Sequence, residues 1–159
     1  MIINHIVGIN SINLTQLHLA DLNDDNVISV LDIIQIVNII LGNRGEDATF
    51  ANYDNKNNVL SMKTDGIIGG IQMTISHDSN FDIELSEYSF VSKFQTNGNL
   101  TEIIIIAPED GILFKTNSEF KIEKLDTYNS IEKIISNFVE LNDFQISAFP
   151  NPFNTKTLI

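Results

Sequence analysis

The chain has no cysteine, which removes disulfide scaffolds, thiolate metal sites and cysteine nucleophiles from consideration. It also has no tryptophan and only three prolines. Basic residues are scarce, 9 Lys plus Arg against 21 Asp plus Glu, for a net charge of -12. Such a surface repels nucleic acid and anionic membranes and attracts cations or accepts neutral ligands. No run approaches the ~18 apolar residues that a membrane-spanning helix needs. Residues Met1 to Val7 lack the basic start and apolar stretch of a signal peptide, so an export signal is expected elsewhere if the protein is secreted. Sequence signatures of enzymes are missing too: there is no GxSxG, no HExxH, no phosphate-binding glycine loop and no dinucleotide fingerprint. The expectation is a protein that is not an enzyme.

What is present suffices for a core. Apolar residues make up 43% of 159 residues, with 10 Phe and long Ile-rich runs, enough for one medium domain or two small ones. An internal repeat opens the chain: Ile2-Ile3-Asn4-His5-Ile6-Val7-Gly8 reads like Ile36-Val37-Asn38-Ile39-Ile40-Leu41-Gly42, 34 residues later. An Asx-rich segment precedes only the second copy, so the N-terminus is expected to cut through a repeat, with a matching loop 34 positions before Asp21 in a longer protein. Apolar residues at Val30, Ile33, Ile34, Val37, Ile40 and Leu41 fit one face of a helix. Ser29 suits its N-cap, Asp32 completes a short capping box, and Gly42 suits the left-handed stop.

Ahead of this helix, Asp21, Asn23 and Asp25 alternate along a short loop. Val27 can offer its carbonyl, Ser29 can hold a water, and Asp32 closes a frame with ligands at positions 1, 3, 5, 7, 9 and 12. Hard oxygen donors, three of them carboxylates, suit Ca²⁺ better than Mg²⁺, and three clustered carboxylates without a cation would repel one another. Position 6 is Asn26, the non-glycine residue most tolerant of a left-handed backbone. The alternative is a solvated Asx-rich turn.

The segment from Ala20 to Asp32 with the following Ile-Val-Asn-Ile-Ile-Leu resembles the second loop-helix repeat of a type I dockerin. That resemblance implies Ca²⁺ held by Asp21, Asn23, Asp25, Val27 and Asp32. It covers about Ile2 to Gly42 and lacks the family's first loop. Where cellulosomal dockerins carry Ser/Thr for cohesin contact, this chain has Val30 and Leu31, and the basic pair further along is Val37-Asn38. The face is therefore apolar, and intramolecular packing on the downstream region is the expected partner, ahead of a cohesin.

Residues 44–57 read as a linker, rich in Gly, Asn, Asp and Lys. Beyond it come short apolar runs: Val59 to Lys63, Ile67 to Ser76, Phe81 to Leu85, Phe90 to Phe94, Thr101 to Ala107, Ile112 to Phe114, Phe120 to Leu125 and Ile131 to Ile135. Turn signals at Asp65-Gly66, Asn97-Gly98-Asn99 and Asp110-Gly111 divide them, which predicts an antiparallel β-sandwich over 58–141. Ile103 to Ile106 would be a strand buried on both faces. The Gly69-Gly70 strand start loosely resembles cohesin-like or carbohydrate-binding sandwiches, which implies a cohesin-like or glycan partner. Ser147 to Asn154, containing Pro150-Asn151-Pro152-Phe153-Asn154, is similar to the opening of the C-terminal sorting domain used in type IX secretion. It implies secretion or cell-surface attachment, with 142–159 a linker and the start of a sorting domain that is cut at Ile159.

The whole is expected to be mainly β and multidomain: a small all-α dockerin-like module at 1–43, the linker, the sandwich and the sorting element. Its expected function is that of a non-catalytic C-terminal region of a larger secreted protein, such as a polysaccharide hydrolase or peptidase. The alternative is a carbohydrate-binding or adhesive sandwich with the dockerin as spacer. His5, His18 and His77 read as structural or solvated, and the pairs Glu84 with Glu87 and Glu109 with Asp110 as surface carboxylates. The aromatic set Tyr53, Phe81, Tyr88, Phe90, Phe94 and Phe114 offers core first and a sugar platform second.

Overall fold

A computed structural model describes residues 2–42 and 44–139. Three helices come first: α1 (Ile2–Ile6), α2 (Leu14–Ala20) and α3 (Val30–Leu41). Nine strands follow: β1 (Phe50–Lys56), β2 (Val59–Thr64), β3 (Gly70–His77), β4 (Ile83–Leu85), β5 (Ser89–Asn97), β6 (Leu100–Pro108), β7 (Gly111–Thr116), β8 (Phe120–Tyr128) and β9 (Lys133–Phe138). No helix among the described residues is long and apolar enough to cross a membrane.

The strands form one mainly antiparallel sheet in the order β4-β7-β2-β1-β9-β8-β3-β6-β5. The sheet folds over on itself, because Ala51 and Tyr53 of β1, Leu60 of β2, Ile71, Met73 and Ile75 of β3, Ile103 and Ile105 of β6 and Phe114 of β7 share one core. Strand β9 joins the two layers, antiparallel to β8 on one side and parallel to β1 on the other. That parallel pair departs from the wholly antiparallel arrangement expected.

The expected linker at 44–57 holds β1. Only Ala51 and Tyr53 of this strand are buried, and its other residues are Phe50, Asn52, Asp54, Asn55 and Lys56, so its composition is that of a loop. A two-residue turn returns it to β2 through Asn57 and Asn58, at φ +52° and +62°, the geometry in which Asn-Gly is the more recognisable pair.

The run Ile103 to Ile106 is buried on both faces, as its apolarity predicts. Alternate side chains diverge: Ile103 and Ile105 enter the core between the layers. Ile104 and Ile106 point outward into a second core with Val30, Ile33, Ile34 and Val37 of α3 and Val7 after α1. The Gly69-Gly70 pair lets α3 lie this close. A Cβ on Gly70 would stand 2.7 Å from Val30 Cγ1, and one on Gly69 would stand 2.9 Å from Ile34 Cγ2 and 2.3 Å from the Asn129 carbonyl oxygen. The helix is also pinned near its far end, where Asn38 Nδ2 donates to the Ser130 carbonyl at 3.4 Å.

The apolar stripe of α3 is shorter than expected. Ile40 and Leu41 are 62% and 42% exposed, so the buried face ends at Val37. Helix α2 is the element that periodicity did not reveal. It has a reciprocal cap: Asn13 Oδ1 accepts from Gln16 N–H at 2.9 Å, and Gln16 Oε1 accepts from Asn13 N–H at 3.2 Å.

Candidate functional site

Helix α2 ends at Asp21 and α3 begins after Ser29, so the Asx-rich segment is the loop of a helix-loop-helix unit. Asp21 lies at the inner edge of the loop with 9% exposure, Asp32 is completely buried, and Val27 stands out at 59%. Asp32 staples the two ends of the loop. Its Oδ1 accepts from Leu22 N–H and its Oδ2 from Ser29 N–H, both at 2.8 Å. Asp21 gathers the middle, accepting from Asp25 N–H at 3.1 Å and Asn26 N–H at 2.8 Å.

Asp25 accepts from Val27 N–H at 2.8 Å, and its other oxygen from the Asn23 amide at 2.8 Å. Asn26 adopts the left-handed backbone that position 6 requires, at φ +65°, and Asp24 joins it at +56°. The Ser29 hydroxyl, read as a water holder, accepts from Leu31 N–H at 3.1 Å as the cap of α3. Helix α3 stops at Gly42, φ +69°, and α1 runs out at the repeat-related Gly8, φ +76°.

The electrostatics of this unit are one-sided. No Lys or Arg precedes Arg44, whereas Asp21, Asp24, Asp25 and Asp32 all lie before it. None of the ion pairs among the described residues reaches the loop. Asp32 is thus a fully buried side chain whose two oxygens accept from the Leu22 and Ser29 N–H groups. Among the described residues no three His, Cys, Asp or Glu side chains form a metal-ready group by themselves. The candidate donors are mixed: three carboxylates, the Asn23 amide oxygen and the Val27 carbonyl. Each bonded oxygen of Asp21 and Asp32 keeps a lone pair for a hard cation, so the donor chemistry fits Ca²⁺.

The other candidates separate by burial. Tyr53 and Phe114 are fully buried core residues. Burial also pushes the Tyr53 phenol up, beyond what its hydrogen bond to Thr127 offsets. Phe81 stacks on His77 with centroids 3.7 Å apart. Both His77 ring nitrogens are engaged, with Asp78 O and Thr101 Oγ1, each at 2.8 Å. Tyr88 and Phe90, by contrast, are 69% and 49% exposed.

Those two rings border a cleft of about 750 Å³, with Arg44, Glu87, Glu109 and Asp110 on its walls. A second hollow of about 370 Å³ shares Glu87 and Tyr88 with it and extends to Glu84 and Lys115. The four carboxylates noted as two pairs in the sequence thus line the two hollows around one aromatic ridge. What sequence reasoning missed is Arg44, which stands in the presumed linker. Burial lowers the pKa of its guanidinium, and Asp47 partly opposes that shift. The sorting-type element at 147–159 lies outside the described residues. Comparison with protein-family models, with curated proteins and with solved structures found no match for this chain.

Proposed function

We propose that residues 2–42 are a dockerin-like calcium module that acts as a structural, non-catalytic element seated in cis on a cohesin-like β-sandwich, in a secreted or cell-surface protein. The observation that carries this reading is the seam between α3 and the sheet. The face of α3 from Val30 to Val37, which a dockerin would offer to a separate cohesin, lies against Ile104 and Ile106 over the Gly69-Gly70 notch. A covered face is spoken for. The sandwich reading is supported by the two-layered core and by the antiparallel pairing of every neighbouring strand pair except β1 with β9.

Asp21, Asn23, Asp25, the Val27 carbonyl and Asp32 would hold Ca²⁺. When bound, the cation supplies positive charge to a segment with no Lys or Arg of its own. The chain's part is geometric. Asp32 ties Leu22 to Ser29, closing the loop, and sits in the first turn of α3, so ordering the loop fixes the start of the helix. Secretion is read from the resemblance at Ser147 to Ile159.

A ligand that binds only the folded form stabilises it by about 2.7 kcal/mol at a hundred times its Kd. For a chain of this length that raises Tm by roughly 5–10 °C. Calcium added to EDTA-treated protein is expected to raise Tm by that amount in the wild type and by less than about a fifth of it in Asp21→Ala and Asp32→Ala. An equal rise in all three proteins, or none in the wild type, refutes the calcium reading.

A further inference from the structure

The cleft beside Tyr88 lies apart from the calcium loop, and no part of the calcium reading uses it. We propose that it binds a saccharide chain, with the Tyr88 and Phe90 rings as stacking surfaces and the surrounding polar groups as hydroxyl partners. Its volume, about 750 Å³, lies within the usual range for small-ligand sites. The ridge residues Glu87 and Tyr88 belong to both hollows, so an elongated ligand can lie across Tyr88 with residues on either side of the ring.

The ring stands on a fixed backbone. Tyr88 N–H donates to Ser86 Oγ at 3.3 Å, and the Tyr88 carbonyl accepts from Glu109 N–H at 2.9 Å. An aromatic ring held outward in water at 69% exposure on such a support offers a flat apolar face of the kind that stacks on the C–H face of a pyranose. Glu87 and Glu109 accept from vicinal hydroxyls, and Arg44 donates, which gives the wall both hydrogen-bonding senses. The cleft wall also contains Ala107, a strand residue held left-handed at φ +49° with its N–H on the Gly69 carbonyl at 2.8 Å. Backbone held in that region without glycine gathers at ligand sites. The hollows are open on one side, which suits a chain lying flat.

The test is affinity electrophoresis in calcium buffer through gels containing soluble xylan, mixed-linkage β-glucan, glucomannan or pullulan. The wild type is expected to be retarded by at least one of them. Tyr88→Ala should weaken that retardation at least tenfold and Phe90→Ala several-fold, with both variants melting at the wild-type temperature because their rings are exposed. Glu109→Gln should weaken it less. Absence of retardation in all four gels overturns the proposal, as does retardation that persists in folded Tyr88→Ala. Tighter binding of a lysine-rich peptide than of any of these glycans, abolished by Tyr88→Ala, also overturns it and assigns the cleft to a cationic peptide.

Discussion

At the scale of single residues, the described ion pairs all stand on two neighbouring strands. Asp126 of β8 is 7% exposed and lies between Lys133 and Lys124, the latter with its Nζ 3.2 Å away. Burial pulls the Asp126 carboxyl up, but the hydrogen bonds and charges of Lys133 and Lys124 outweigh it and hold the group below its ordinary value. The partner Lys133 is raised by the same contact. A carboxyl whose folded pKa is depressed stabilises the fold above its unfolded pKa, near 3.9, and loses that contribution as pH falls through the folded value. Raised Lys133 contributes below its ordinary range and loses that contribution only in alkali. Urea titrations at pH 7 and pH 3 are therefore expected to separate wild type from Asp126→Asn at neutrality and to narrow the gap between the two midpoints in acid. Midpoints separated equally at both pH values would show that the ion pairs do not stabilise the fold. Asp65, held low by the Thr49 hydroxyl and N–H, keeps part of the acid slope in both proteins.

At the scale of elements, the decisive contact is α3 against β3 and β6. Gly69 is the position to probe, since an added Cβ there would meet the Asn129 carbonyl at 2.3 Å as well as Ile34. A backbone oxygen cannot rotate away as a side chain can. Gly69→Ala is expected to cost about 1–3 kcal/mol in urea unfolding, the range for overpacking a well-filled site. Gly98→Ala is the control for backbone freedom alone, because Gly98 sits at φ +61° with open space around its Cβ position. If Gly69→Ala costs no more than that turn variant, α3 is not tightly seated.

Much of this element level was legible in the sequence. The caps Ser29, Asp32 and Gly42 delimit α3, and eight of the strands fall on the apolar runs, because an uninterrupted Ile-rich stretch has few folded alternatives. The Gly69-Gly70 pair was legible as a strand start, but nothing local shows that a helix packs on it. Strand β1 escaped because its burial rests on two side chains in a polar stretch. Helix α2 escaped because its signal is a cap, Asn13 with Gln16, rather than a period. The candidate ligands of the loop were legible as a spacing, whereas the cleft was not. Arg44, Glu87, Tyr88 and Glu109 are brought together by strand order, which local pattern does not encode.

At the scale of the whole molecule, two cores share one sheet. The inner core lies between the layers and the outer one lies beneath the helices; β6 sends side chains into both, and β3, which lines the inner one, meets α3 at Gly70. An ordered loop at Asp21 to Asp32 therefore acts on the sheet through α3, and the central claim is that the loop, helix and sheet are one cooperative unit held by calcium. Amide hydrogen exchange of the full chain, in EDTA and then in saturating calcium, tests it most directly. The account predicts that calcium slows exchange in the loop, along α3 and in β3 and β6 where they meet it, at Gly70, Ile104 and Ile106. Slowing confined to residues 21–32, or no slowing anywhere, would contradict it.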